Sequence, residues 1–320
     1  MLPFWLSIGA LSLFQGAVAA LPRAVAPCSR GSWGCPSWST WLERRGARAW
    51  ALILPASVVV FVIVARAAAH ASAQTLTYVA LVAVPLLAMV ALGWLTGRAH
   101  PARALLVPVL FALAWADRGG LAGQGAAVLL SGLSCATLGV LLARLTPVRW
   151  LALGICAMAI ADTAFVVSDL LQQPNSVLNA AHPAAGLPRL QSAAFGSAVM
   201  GYGDLFVAGV LGGLLARTAG RRTQLRGAAV TALFALGFDL LFFAVSELPA
   251  TVPVALALLA VSRELGLRGE PRRATALSDG SRARDLGHSR VRLGGHAQSS
   301  VSGERLSAPH TPPGAVRQPA

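Results

Sequence analysis

Three aspartates, Asp162, Asp204 and Asp239, stand inside long apolar stretches of the sequence. An ionisable side chain within a membrane-spanning helix costs at least about 2.5–3.5 kcal/mol to insert, so its presence there points to function. Asp117, Asp169 and Glu247 lie near the ends of such stretches, within reach of water or headgroups. Two carboxyls facing each other in a low-dielectric site cannot both ionise, and they hold one proton between them. In that state one carboxylate can accept a proton from water while the other acid polarises a carbonyl, which is the chemistry of aspartyl peptide hydrolysis. No His/Cys/carboxylate cluster proposes a metal, and this chemistry needs no cofactor.

The elements that carry these acids are predicted to be membrane-spanning helices. Of 320 residues, 56% are hydrophobic and 12% charged, against about 25% charged in soluble domains. A bilayer core of about 30 Å needs about 20 apolar residues per helix, and blocks of that kind recur along the chain. We read nine spans, near 4–20, 50–66, 75–96, 102–117, 121–144, 150–171, 192–216, 227–246 and 249–265. The expected fold is all-α, a polytopic bundle over residues 1–265, with an N-terminal half to about 145 and a catalytic half over 150–265. Residues 266–320 are rich in Arg, Gly, Ser and Pro, end in His310-Thr311-Pro312-Pro313-Gly314 and its short continuation, and are expected to be a disordered cytoplasmic tail.

The net charge of +14 comes from Arg, with no Lys in the chain. Most Arg residues sit between apolar blocks or in the tail, which argues for membrane orientation rather than a nucleic-acid surface. With the N-terminus outside, the inner loops hold Arg23, Arg30, Arg44, Arg45 and Arg48, then Arg98 and Arg103, then Arg144 and Arg149, then Arg217, Arg221, Arg222 and Arg226. The outer loops hold Arg66, Arg118 and Arg189. An odd number of spans then leaves the tail inside, giving a multi-pass cell-membrane protein. Ala17-Val18-Ala19 resembles a signal-cleavage site, but Met1 to Pro3 carry no basic side chain, so the first span reads as an uncleaved helix. Cys28 and Cys35 share an inner loop and read as free thiols, whereas Cys135 and Cys156 lie in apolar blocks as packing residues.

On this topology Asp162 lies about nine residues below the outer end of the sixth span, or ~14 Å, and Asp204 about twelve below that of the seventh, or ~18 Å. Two antiparallel neighbours thus carry carboxyls at nearly one level. Asp204 ends Gly201-Tyr202-Gly203-Asp204, followed by Gly209 and Gly213 at GxxxG spacing. Small residues let another backbone come close. Two readings fit: a reactive acid, or a tightly packed helix whose Asp bonds a neighbour.

Gly201-Tyr202-Gly203-Asp204 resembles the GxGD motif of the presenilin and signal peptide peptidase superfamily, whose second catalytic Asp lies one helix earlier, where Asp162 stands in Ala159-Ile160-Ala161-Asp162. Leu248-Pro249-Ala250-Thr251-Val252-Pro253 is similar in position to the Pro-Ala-Leu motif that opens that family's ninth helix. The resemblance covers roughly 150–265 and implies a presenilin-like intramembrane protease. Asp162 and Asp204 would be catalytic, while Gly201, Tyr202, Gly203, Pro249, Ala250 and Thr251 would contact a transmembrane helical protein or peptide substrate. Ala161 replaces the family's Tyr and Thr251 its Leu. The first change removes a hydrogen-bonding neighbour of the acids, and the second alters a substrate-positioning contact. Prepilin peptidases share a GxGD motif but follow it with a Lys, where Leu205-Phe206-Val207 stand here. A proton-coupled transporter using all three aspartates as a relay, and an inactive membrane scaffold of the same fold, are the alternatives from other classes.

Overall fold

The structure is a computed structural model describing residues 2–23, 69–96, 100–168, 183–245 and 248–262, with isolated positions at 56, 60, 63, 176–177 and 180–181. All of them belong to one compact unit, Met1–Gly269. The expected span at 50–66 lies largely outside the described residues, and Cys28, Cys35, Asp169, Glu247 and the tail lie wholly outside them.

The chain is mostly helical. Helix α1 runs Leu2–Ala20 and α2 Ala69–Val90, the latter continued by a wider turn at Ala91–Leu95. A tight turn at Pro101–Leu105 leads into α3, Leu106–Ala116. Helices α4 (Leu121–Leu145) and α5 (Val148–Val167) are separated by Pro147, which cannot supply the N–H that a continuous helix needs. Helix α6 runs Tyr202–Thr218, α7 Gly220–Asp239, and α8 Val252–Val261. They fall at the positions of the expected first span and of the third through ninth, with Pro101–Ala116 and Val252–Val261 shorter than a membrane crossing needs. Among the described residues, five helical stretches are long and apolar enough to cross a membrane, Pro3–Ala20, Ala73–Leu95, Leu121–Leu145, Val148–Val167 and Gly220–Phe243, and their character is compatible with a membrane location.

The seventh span departs from the expectation of a helix over 192–216. Ser192–Phe195 and Ala198–Gly201 pair as an antiparallel hairpin, and the helix starts only at Tyr202. Gly196, at φ +59°, makes the reversal that an L side chain resists. Hydropathy alone does not separate a short apolar hairpin from the first turns of an apolar helix. Among the described residues the fold is therefore a helix bundle with one small sheet rather than purely α.

Helix α6 is the axis of the bundle. Leu205 and every residue from Val207 to Ala216 are buried, as fits a helix that is apolar all round. It packs chiefly on α4, with α1, α7, α5 and α8 around it. The approach to α4 leaves no room for side chains: a Cβ on Gly209 would lie 2.4 Å from the Cys135 carbonyl oxygen, and one on Gly139 would lie 2.2 Å from the Gly209 carbonyl carbon. The GxxxG spacing thus serves helix packing. Arg217 closes the far end of this pair by donating to the Ala143 and Thr146 carbonyls, which α4 leaves unpaired at its C-terminus.

Helix α1 packs most closely on α7, and also on α6. Helix α7 receives the end of α1 and the residues just after it: Gln224 donates to the Ala19 carbonyl at 3.1 Å and to the Pro22 carbonyl at 2.8 Å. Val18 and Ala19 are fully buried.

Candidate active site

Asp204 occupies the third position of α6, and one of its carboxylate oxygens accepts the Gly201 N–H at 3.1 Å. An acid here suits the unpaired N–H groups and positive end of the helix. The acid is therefore two residues from its helix start, not about twelve residues down a longer helix. Tyr202 anchors the same turn to α4, its hydroxyl 2.7 Å from the Ser134 hydroxyl, and its carbonyl accepts the Cys135 thiol at 3.7 Å. Gly201 and Gly203 are exposed. A Cβ on Gly201 would lie 3.0 Å from the Asp204 carboxylate, whereas one on Gly203 would meet open space.

Asp162 lies five residues before the end of α5, which is described as helix to Val167. The two acids therefore sit near one end of the bundle, shallower in their helices than the sequence predicts. Each is partly buried, and Gln15 on α1 links the two neighbourhoods: its Nε2 donates to the Ala250 carbonyl at 2.8 Å and approaches the Asp204 carbonyl at 3.4 Å. Helix α5 reaches this position by packing on α8 and, more sparsely, on α6.

The Pro249-Ala250-Thr251 segment completes the arrangement. Thr251 is 1% exposed. Its hydroxyl donates to Asp162 Oδ2 at 2.6 Å, and its N–H approaches the same oxygen at 3.4 Å. The segment is a turn: the Pro249 carbonyl accepts from Val252 N–H at 3.1 Å, and the Ala250 carbonyl accepts from Gln15 Nε2 of α1 at 2.8 Å. Pro253, rather than Pro249, takes the helix-opening place. Thr251, expected among the substrate contacts, bonds the acid Asp162.

Asp239 belongs elsewhere. It ends α7, is 8% exposed, and accepts the Ser12 hydroxyl at 2.8 Å. Asp117 accepts the Gly123 N–H at 3.0 Å and so serves the start of α4. Among the described residues no group of His, Cys, Asp and Glu could hold a metal, and Cys135 and Cys156 are free.

Sequence reasoning passed over Ser7, Ser12 and Gln15, three polar residues in an apolar first span. The signal was there, because uncharged polar side chains in such a span tend to bond across helices. No family model, curated protein or solved structure matches the chain.

Proposed function

We propose that the chain is an intramembrane aspartyl endopeptidase of the presenilin and signal peptide peptidase kind, with Asp162 and Asp204 as its catalytic acids. The observation that carries this reading is the arrangement of two carboxyls from separate helices about one junction: Thr251 holds Asp162, the helix start holds Asp204, and Gln15 reaches both the Ala250 and the Asp204 carbonyls. A water between them gives its proton to the ionised carboxylate and attacks the scissile carbonyl, whose oxygen the protonated acid binds. The carboxylate that took the proton then delivers it to the departing nitrogen.

The substrate class follows from the setting. A transmembrane helix shields its carbonyls by its own hydrogen bonds, so it must unwind where it is cut. Open space beside Gly203 gives an unwound chain room next to Asp204. The substitutions at Ala161 and Thr251 offset one another on this reading, because the Thr251 hydroxyl supplies Asp162 with a hydrogen-bonding neighbour. The full arrangement of nine spans, with the N-terminus outside and the tail in the cytoplasm, is part of the same proposal.

The test is hydrolysis of a synthetic transmembrane peptide by purified full-length protein in detergent. Cleavage that disappears in both Asp162→Asn and Asp204→Asn supports the reading. Asp239, buried against Ser12, favours a second reading as a proton-coupled transporter. Absence of cleavage by the wild type, with proton-coupled flux in vesicles that all three Asn variants lose, would establish that one instead. Absence of both activities would leave a membrane scaffold.

A further inference from the structure

We infer that Gln15, on α1, is a positioning residue for both acids, an inference that rests on the protease reading above. Gln15 is 0% exposed. Its Nε2 donates to the Ala250 carbonyl at 2.8 Å and approaches the Asp204 carbonyl at 3.4 Å. The Ala250 carbonyl and the Thr251 N–H belong to one peptide unit, and that N–H points at Asp162 Oδ2. Gln15 therefore holds one side of a peptide plane whose other side faces Asp162, while the same nitrogen reaches the backbone of Asp204. Chains of hydrogen bonds through a peptide polarise one another, so the link carries more than packing.

The burial of Gln15 gives an independent reason. Its Oε1 is buried with no hydrogen-bond partner among the described residues. An unpaired buried acceptor opposes folding, and an apolar side chain of the same size would fill the space without that cost. Packing does not explain an amide at this place; a donor aimed at Ala250 and Asp204 does. Ser7 and Ser12 extend this polar face of α1. Ser7 accepts the Ser197 N–H at 3.3 Å in the hairpin turn, and Ser12 donates to Asp239. The first helix is thereby tied to the hairpin, to α7, and to the junction between the two acids.

The experiment compares Gln15→Met and Gln15→Glu with the wild type as full-length protein, using the transmembrane peptide as substrate. Gln15→Met keeps the volume and removes the donor. Its kcat should fall about 10- to 100-fold with KM changed less than about two-fold, the loss expected for one buried hydrogen bond to reacting machinery. Its unfolding temperature in detergent should match the wild type. Gln15→Glu has a donor only when protonated. Its activity per folded molecule, with the folded fraction measured at each pH, should therefore climb relative to the wild type as pH is lowered, a response that a packing role would not give once the cost of burying an ionised Glu is removed. A Gln15→Met enzyme with wild-type kcat, or a Gln15→Glu profile parallel to the wild type, overturns the role of Gln15 and leaves the protease reading standing. If Gln15→Met does not fold, the pH profile of Gln15→Glu decides alone. A wild type that cuts no peptide overturns the protease reading and this role with it.

Discussion

The Thr251 hydroxyl sets how Asp162 presents its carboxyl, since it holds Oδ2 from 2.6 Å. Thr251→Val removes that donor with little change of shape and should lower kcat about 10-fold, the value of one hydrogen bond to a charged group. Thr251→Ser should keep most of the activity, and steady-state kinetics on the transmembrane peptide would show the contrast. Asp162→Asn and Asp204→Asn should each cost at least about 100-fold, the usual worth of an acid or base in the transition state. Asp239→Asn should retain appreciable activity, because Asp239 bonds Ser12 on the α1–α7 side. Comparable losses at all three positions would count against a two-acid site. The candidate acids were legible from their type and apolar setting. The bond from Thr251 was not, because it joins residues 89 apart in sequence.

At the scale of elements, the site depends on the contact of α6 with α4 and on the hairpin before α6. Gly139→Val would drive a side chain into the Gly209 backbone, and Gly209→Val into that of Cys135. Each should destabilise the protein by about 3 kcal/mol, the upper end for overpacking, seen as a lower unfolding temperature in detergent. Gly203→Ala should leave that temperature unchanged, because its Cβ meets open space. Gly196→Ala combines a left-handed backbone with a Cβ 2.1 Å from the Ser7 hydroxyl oxygen. It should loosen the hairpin, and faster amide exchange at 192–201 would reveal this. The helices were readable as apolar blocks of helical length. The hairpin was not, because Ser192 to Gly201 is as apolar and small as the helix it precedes, and its reversal depends on one glycine.

The described helices set α1, α4, α5, α7 and α8 around α6, and much of the outward surface of the helices around it is apolar. Val82, Leu86, Val109, Leu153, Ile160 and Leu233 are all more than half exposed. Such a surface suits lipid and is unusual for a protein in water. The protein should remain with membranes through alkaline extraction, and its release into the supernatant would overturn the membrane assignment. The charge pattern predicts an N-terminal tag accessible to protease on intact cells and a C-terminal tag that is protected. The reverse pattern would invert the proposed orientation.

The sequence by itself determined the local character of the chain: apolar stretches long enough to span a bilayer, and acids within them. These are local properties, set by composition over about 20 residues. Only the tertiary structure decided which way each helix turns its side chains. A helix such as α6, apolar on all sides, has no pattern that fixes its rotation. Gln15 meets Ala250 across 235 residues, and Asp239 meets Ser12 across 227. Contacts of that range follow from how helices pack against one another, which the order of residues along any one of them does not express.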